Sequence, residues 1–294
     1  MDSWSHIPQL LASGITIGAI YALVALSFVT ITRASQIINF AQGEFVMLGG
    51  VITFFLLKNF SYPMAALMAI VMVIMLGFLM YLSVIYPLRK APMLIPLIAT
   101  LGASIFLSNT SGFLFGTLPK ALPPFSTHQP FQIFGVYVLP QSLYMLGITF
   151  LLLVFLYLLS HRTFLGKAME ASSTDPLGAD LLGISRNRMV FLSFGVSAGI
   201  GATAGILITP IFFTSYNSGT ILGLKGFIAA VLGGWGKNTG AILGGFALGI
   251  LEALSIAFIP AGYKDGVAFA ILLLILYFRP KGILGSPFID SRRL

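Results

Sequence analysis

The chain has 294 residues, of which 57% are hydrophobic and only 8% are charged, and its mean hydropathy is +1.00. A soluble domain carries roughly a quarter charged residues, so this composition excludes an ordinary soluble protein. The net charge of +8 is typical of a membrane protein whose Lys and Arg collect on cytoplasmic loops, and it does not indicate nucleic-acid binding.

Long uncharged runs predict an all-α fold: a polytopic transmembrane helical bundle of about eight or nine spans, forming a single membrane domain over residues 1–294. The runs 59–88 and 91–119 exceed the ~20 apolar residues that a helix needs to cross a bilayer. The predicted spans are 8–32, 37–57, 62–86, 93–116, 133–159, 189–213, 219–236, 239–259 and 263–279. Residues 1–9 contain no Lys or Arg, so we expect the first span to be retained and not cleaved as a signal peptide.

Two of these spans are irregular. The second contains Asn39, Gln42, Gly43 and Glu44 near its start, and the seventh is short, contains Lys225 and ends at two glycines. Each is either a simple crossing or a broken or re-entrant helix. Irregular backbone is tolerated at membrane depth only where protein or a watery cavity covers it.

Carboxylates within the spans require an explanation, because a charged side chain at the bilayer centre costs at least ~2.5–3.5 kcal/mol. If the second span is helical from its start, its polar side chains do not share one face, but they can still face a helix bundle. One hypothesis is a translocation path for a solute. The other is a set of interhelical hydrogen bonds that fixes the packing. The candidate path residues are Asn39, Gln42, Glu44 and Glu252.

Two features of the later spans bear on packing. Glu252 lies inside the eighth span and, as an alternative to lining a path, is expected to pair with Lys225 or Lys264. The glycine pairs at 195/199 and 240/244 fit close helix packing, since a missing side chain lets two backbones approach. A role of these glycines in a solute path is the alternative.

Residues 162–188, which we call the charged segment, hold four of the sixteen Lys/Arg and three of the eight Asp/Glu, between uncharged runs 132–160 and 189–224. If this segment is cytoplasmic, strict alternation of the spans places twelve of the sixteen basic residues in the cytoplasm. They are Arg33, Arg89, Lys90, Arg162, Lys167, Arg186, Arg188, Lys237, Arg279, Lys281, Arg292 and Arg293. The predicted topology therefore has the N-terminus outside and the C-terminus in the cytoplasm.

The charged segment is patterned as two short helices. Good helix formers occupy 166–171, and Asp175 with Pro176 can cap and start a second helix. An apolar stripe follows, which Gly183 can close; it consists of Leu177, Leu181, Leu182 and Ile184. The segment is either a docking surface or a basic loop that anchors the headgroups.

The chain offers little for catalysis. It has no cysteine, no phosphate-binding lysine motif and three histidines without a metal-binding arrangement: His6, His128 and His161. We therefore expect no enzyme activity, no metal site and no cofactor bound by this chain.

Three blocks of sequence resemble the permeases of branched-chain amino-acid ABC transporters. They are GITIGAIYAL at 14–23 with INFAQGEF at 38–45, RTFLGKAMEA at 162–171 followed by Asp175-Pro176, Ala179, Leu182-Gly183-Ile184 and Arg188, and GFIAAVLGG at 226–234. The family usually has His where this chain has Gln42, which argues against a proton relay there. Its general coupling motif begins Glu-Ala-Ala, of which Glu170-Ala171-Ser172 keeps the first two residues.

The resemblance implies a permease subunit in a bacterial plasma (inner) membrane, with a second permease, two cytoplasmic ATPase subunits and an extracytoplasmic solute-binding protein as partners. ATP would be hydrolysed by the partner subunits, and the charged segment, about 160–188, would contain the helix that couples to them. The implied coupling residues are Arg162, Gly166, Lys167, Ala168, Met169, Glu170, Ala171, Asp175 and Gly183. The alternatives are the same machinery carrying urea or short-chain amides, or a self-contained secondary transporter.

Overall fold

The computed structural model describes residues 7–126, 129–133, 135–279 and 282–284. Within these ranges the chain forms eleven α-helices and two short β-strands. The helices are α1 Ile7–Ser35, α2 Gln42–Leu56, α3 Tyr62–Met80, α4 Leu94–Phe115, α5 Pro140–Arg162, α6 Phe164–Thr174, α7 Pro176–Leu181, α8 Arg186–Phe212, α9 Ser218–Gly233, α10 Asn238–Ser255 and α11 Lys264–Phe278. A π-helical turn, Tyr81–Ile85, continues α3, and a 3₁₀ turn, Ala261–Tyr263, precedes α11.

Six helical segments are long and apolar enough to cross a membrane: α1, α3 with its π-helical turn, α4, α5, α8 and α10. Two shorter apolar helices, α2 and α9, stand where the second and seventh spans were predicted. Each of the nine predicted spans contains a helix, which confirms an all-helical polytopic membrane protein. His6, His128, Lys281, Arg292 and Arg293 lie outside the described residues.

One predicted span began too early. Two short strands, β1 Phe131–Ile133 and β2 Val136–Val138, pair antiparallel, and the fifth helix starts only at Pro140. Proline lacks an N–H and is favoured in the first turn of a helix, where that N–H would have no partner. The apolar run 133–159 is therefore part strand and part helix, a distinction that hydropathy does not make.

The chain divides into two compact units, each built from separated parts of the sequence. Unit 1 comprises the described residues of Met1–Val29, Pro124–Thr149 and Lys225–Leu294. Unit 2 comprises Thr30–Pro123 and Phe150–Leu224. Helices α1, α5 and α9 each run from one unit into the other.

Glycines set the helix packing of unit 2. Helix α8 packs against α2 and α3, and α2 also packs against α4. A Cβ on Gly49 would overlap the backbone of Ala202, and one on Gly205 would overlap the carbonyl of Val46. Two backbones can approach this closely only where a side chain is missing. Gly195, of the predicted 195/199 pair, likewise packs directly on a neighbouring ring, that of Phe78.

Unit 1 is packed in the same way. A Cβ on Gly249 would overlap the backbone of Gly18 in α1, and one on Gly245 would overlap that of Ala22. A Cβ on Gly244 would overlap the carbonyl of Ala229 in α9. The 240/244 glycines thus serve close helix contact, as the packing interpretation expects.

Candidate functional site

Helices α2 and α9 are short for a bilayer. They have 15 and 16 residues, which at 1.5 Å per residue gives about 22–24 Å. The hydrocarbon core of a bilayer is about 30 Å thick. Each short helix follows a non-helical stretch, 36–41 before α2 and 213–217 before α9.

The two stretches begin in the same unusual way. Gln36 directly follows α1 with φ +60°, and Phe213 directly follows α8 with φ +58°. Residues other than glycine occupy this region at a cost on the order of 1–3 kcal/mol, so the surrounding packing must hold them there. The order long helix, positive-φ residue, non-helical stretch and short helix therefore occurs twice in the chain.

The first turns of α2 and α9 meet at Glu44. This side chain is fully buried, and its Oε1 accepts hydrogen bonds from Ser104 Oγ at 2.9 Å and from Thr220 Oγ1 at 3.1 Å. A Cβ on Gly43 would overlap the carbonyl of Gly219, so the two helix starts are in backbone contact. Helix N-termini carry partial positive charge, which favours a carboxylate at this position.

The second oxygen of the Glu44 carboxylate is different. Oε2 has no hydrogen-bond partner among the described residues. Buried polar atoms are usually paired, since an unpaired group costs ~1–3 kcal/mol. Thr220, which binds the other oxygen, is itself exposed. The carboxylate therefore lies just one side chain below the surface of the chain.

Helix α4 supplies polar residues that the sequence analysis missed. Its buried face carries four hydroxyl residues at intervals of four, four and three: Thr100, Ser104, Ser108 and Ser111. Thr100 Oγ1 accepts from the amide of Phe40 at 3.2 Å, and Ser108 Oγ donates to the carbonyl of Tyr216 at 2.7 Å. The helix thus binds both non-helical stretches. The sequence does carry a signal for these residues, because the four hydroxyls recur at helical spacing in an otherwise apolar span.

Gln42 links two helices. Ser197 Oγ in α8 donates to Gln42 Oε1 at 2.9 Å, and Gln42 Nε2 donates to the carbonyl of Ser197 at 3.2 Å. Both functional groups of the amide are thereby engaged, and the side chain is fully buried. This arrangement matches the interhelical hydrogen-bond hypothesis for that residue.

Asn39 does not belong to a helix, so the predicted helical start of the second span is wrong for this residue. It lies in the non-helical stretch before α2, and its Oδ1 accepts a hydrogen bond from the amide of Ala41 at 3.1 Å. Asn side chains that bond the backbone two residues ahead compete with helix formation and favour turns. Its Nδ2, like the free oxygen of Glu44, has no partner among the described residues.

Glu252 belongs to a second polar group, in unit 1, which we call the Lys225 cluster: Tyr21, Lys225, Glu252 and Asp265. Lys225 Nζ lies 2.7 Å from Glu252 Oε1 and 2.6 Å from Asp265 Oδ1. The Tyr21 hydroxyl donates to Glu252 Oε2 at 2.9 Å and accepts from Lys225 at 3.0 Å. Lys225 is thus the partner of Glu252, one of the two that were expected. Tyr21 and Asp265 were not among the residues predicted to pair with Glu252.

The charged segment folds as the two short helices α6 and α7. Thr163 Oγ1 accepts from the amide of Gly166 at 3.2 Å, which caps α6. Asp175 Oδ1 accepts from the amide of Gly178 at 3.0 Å, and Pro176 starts α7, as predicted. At the far end Gly183 has φ +78°. Its amide donates to the carbonyl of Asp180, and the next amide donates to Ala179, the paired bonds of a Schellman motif.

The segment is anchored to the ends of two long helices. A Cβ on Gly166 would overlap the carbonyl of Leu159 in α5, so α6 lies directly on the last turn of that helix. Arg33 Nη2, at the end of α1, lies 3.2 Å from Glu170 Oε1. Both side chains are partly exposed, so this ion pair contributes only ~0–1 kcal/mol.

The segment exposes large apolar side chains. Leu177, Leu181 and Leu182 are 79%, 89% and 80% exposed, and Phe164 is 76% exposed. The predicted coupling residues divide between the two faces. Gly166 and Ala168 are buried, Met169 and Ala171 are half-buried, and Arg162, Lys167, Glu170, Asp175 and Gly183 are exposed.

In the described part of the chain no three His, Cys, Asp or Glu side chains come together as metal ligands would. His161 lies in the last turn of α5 beside the ring of Tyr157, with 4.8 Å between ring centroids.

The chain was compared with known proteins. The family model described as "Branched-chain amino acid transport system / permease component" matches residues 10–276. The permease protein BraD of Pseudomonas aeruginosa, from a high-affinity branched-chain amino acid transport system, is 35% identical and covers 97% of this chain and 98% of its own. The corresponding protein LivH of Escherichia coli K12 is 34% identical and covers 99% of each chain.

Among solved structures, PsaBC of Streptococcus pneumoniae in complex with Fab aligns with a TM-score of 0.49 at 15% identity, covering 93% of this chain and 92% of the other.

The geometry of the Lys225 cluster predicts coupling between Lys225 and Glu252, whose side chains are both buried. Lys225→Met leaves a buried carboxylate without its cation, and Glu252→Gln removes the charge from the carboxylate side. Breaking a buried pair costs about 3–5 kcal/mol, so each single variant should be clearly destabilised. The double variant should lose less free energy of unfolding than the two single variants lose together. Unfolding of the detergent-solubilised protein measures this.

Lys237→Met combined with Glu252→Gln is the matched control and should be additive, because Lys237 hydrogen-bonds the carbonyl of Leu284 and lies outside the cluster. Additive losses for the Lys225 pair would contradict the coupling.

Proposed function

Because this chain belongs to the family of branched-chain amino acid transport system permease components, we propose that it is the membrane subunit of an ATP-driven importer that moves branched-chain or other small amino acids. The chain is a transporter component and not an enzyme. Its partners would be a second permease, two cytoplasmic ATPase subunits and an extracytoplasmic solute-binding protein. ATP would be bound and hydrolysed by the ATPases and not by this chain.

The observation that carries this proposal is the exposed apolar surface of α6 and α7. Three leucines project from capped helices in a segment that otherwise holds many of the chain's charges. Exposed apolar surface rimmed by polar residues marks sites of contact with another protein or with a membrane. A loop that only anchored headgroups would need neither two caps nor a packed inner face.

The proposed orientation has the N-terminus outside and the charged segment in the cytoplasm of a bacterial plasma membrane. It depends on the positive charges of the cytoplasmic ends and on strict alternation of the spans, and contacts at the ends of the helices support that alternation. Arg33 at the end of α1 pairs with Glu170, so the two belong to the same side. On the other side, Lys120 after α4 exchanges backbone hydrogen bonds with Thr214 after α8. Strict alternation of the spans likewise places Arg33 and Glu170 on the cytoplasmic side and Lys120 and Thr214 on the outer side.

We propose that α2 and α9 are discontinuous helices whose N-termini converge within the bilayer. Ser104, the partner of Glu44, is the eleventh of the 22 residues of α4. A helix of that length spans the hydrocarbon, so its middle residue lies near the midplane. Transporters of several folds place substrate sites where broken helices begin, at the midplane between repeats.

The proposed translocation path is lined by those candidate residues that keep a polar atom without a hydrogen-bond partner among the described residues. Gln42 and Glu252 are fully engaged with Ser197 and with the Lys225 cluster, which favours a packing role. Glu44 and Asn39 each retain an unpaired polar atom. Glu44 Oε2 would give the ammonium group of an amino acid a brief contact, while selectivity would reside mainly in the binding protein.

The function is tested by reconstitution. The chain is purified with its neighbouring gene products and placed in proteoliposomes with the binding protein. We expect labelled leucine to accumulate only when ATP and both ATPases are present. Uptake by the isolated chain without ATPases would contradict the proposal. Uptake of urea or short amides but not leucine would show an ATP-driven importer with a different substrate.

The docking surface is tested by Leu181→Asp with Leu182→Asp. A buried carboxylate in an apolar contact is costly, so association with the ATPases in pull-down should fall at least tenfold while membrane insertion stays normal. Leu118→Asp is the matched control, because Leu118 is similarly exposed (78%) but lies on the proposed outer side. Unchanged association in the double variant would place the ATPase contact elsewhere.

The role of Glu44 is tested by Glu44→Gln, which keeps size and an acceptor for Ser104 and Thr220 and removes the charge. A path role predicts at least a tenfold loss of uptake with nearly unchanged thermal stability and ATPase association. A pure packing role predicts normal uptake. Ser104→Ala is the comparison that removes a hydrogen bond and leaves the carboxylate.

A further inference from the structure

Unit 2 contains a basic pocket beside the π-helical turn. The cavity has a volume of about 410 Å³ and lies between the ends of α1, α3 and the start of α8. Three cationic residues line it: Arg89, Lys90 and Arg186. None of the acidic residues in the described part of the chain does. The pocket therefore has an uncompensated positive charge and suits an anion.

The pocket is built and not merely a gap between flexible side chains. The Arg89 guanidinium stacks over the Tyr86 ring at 3.9 Å, and its Nη1 donates to the carbonyl of Tyr86 at 2.8 Å. Gln36, in its unusual backbone conformation, forms another part of the wall. The π-helical turn Tyr81–Ile85 contributes Tyr81 and Ile85, and such turns occur often at functional sites.

An apolar furrow lies next to the pocket and shares Leu88 with it. It runs between the π-helical turn and α4, and its residues are Ser83, Val84, Pro87, Leu88, Ala99, Gly102, Ala103 and Phe106. Its α4 wall is made of small residues, and a Cβ on Gly102 would meet nothing within 4 Å. Phe106 is exposed at its edge. A furrow of this kind on a membrane-spanning helix faces hydrocarbon.

Basic pocket and apolar furrow together match one class of ligand. A free anion would need only the pocket, and a neutral lipid would need only the furrow. A molecule with a phosphate headgroup attached to acyl chains fills both, and it lies where the predicted span 62–86 ends at Arg89 and Lys90. Basic pockets between helices on the cytoplasmic side recognise anionic lipid headgroups in this way.

We infer that Arg89, Lys90 and Arg186 form a binding site for the headgroup of an anionic phospholipid, whose acyl chain lies in the furrow along Gly102. The site is separate from the polar centre at Glu44 and from the leucines of the charged segment. It stands whether or not the proposed transport function is correct, since it depends only on the pocket, its charge and the adjoining furrow.

The experiment is native mass spectrometry of the detergent-purified chain titrated with phosphatidylglycerol or with phosphatidylcholine of the same acyl chains. We expect tighter binding of phosphatidylglycerol. Each basic residue near a membrane surface contributes about 1 kcal/mol, or about fivefold. In the triple variant Arg89→Gln, Lys90→Gln and Arg186→Gln, the ratio of the affinities for phosphatidylglycerol and phosphatidylcholine should therefore fall at least tenfold.

The matched control removes the same charge elsewhere, with Lys58→Gln, Lys237→Gln and Arg279→Gln, and should retain the preference. A pocket variant that keeps the full preference would overturn the site. Thermal unfolding of all variants shows that they remain folded. If the triple variant is unstable, Arg89→Gln alone tests the site, with an expected loss of about fivefold.

Two further experiments distinguish a bound lipid from a bound soluble anion. Millimolar inorganic phosphate should not displace phosphatidylglycerol, because it cannot use the furrow. Gly102→Leu should weaken phosphatidylglycerol binding several-fold, whereas Gly147→Leu, at another helical glycine with open space around it, should not. Full displacement by phosphate, or unchanged binding in Gly102→Leu, would contradict a lipid site.

Discussion

The hydrocarbon core of a bilayer offers no hydrogen-bond partners, so every polar group that enters it must find one inside the protein. This constraint is most severe where a helix starts, because the first four amides have no partner within the helix. Here two such starts, those of α2 and α9, are brought together at one carboxylate. Glu44 is held by Ser104 and Thr220, and it lies in the positive field of both helices. The arrangement of unit 2 around α2, α4 and the start of α9 depends on this group.

Glycine makes that convergence geometrically possible. Gly43 and Gly219 let the two helix starts touch through their backbones, and Gly49 and Gly205 let α2 lie directly on α8. Larger side chains would separate the helices and take Thr220 out of reach of the carboxylate. The same chemistry recurs in unit 1, where Gly18 and Gly249 bring α1 onto α10. Abundant glycine is thus a condition for the polar contacts and not a sign of loose structure.

In the proposed function, the charged segment would transmit movement from the ATPases to the membrane helices. Its inner face is fixed by the close approach of Gly166 to the last turn of α5, and the Arg33–Glu170 ion pair touches the end of α1. ATPases bound to the exposed leucines would displace α6 and α7, and the displacement would reach α1 and α5, each of which runs through both units. Two discrete packings biased by the nucleotide state of the partner would then open the path on alternate sides.

The positions of helices followed from the sequence because the bilayer imposes a length and an apolar composition that hydropathy detects directly. The caps at Asp175, Pro176 and Gly183 were also predictable, since capping depends on neighbours within a few residues. Only the tertiary structure decided that Asn39 precedes α2, that Tyr21 and Asp265 join Lys225, and that Ser104 of α4 binds Glu44. The contacts of Lys225 and of Glu44 join residues tens to hundreds of positions apart. Such pairing depends on which backbones can approach, and one-dimensional periodicity carries no information about that.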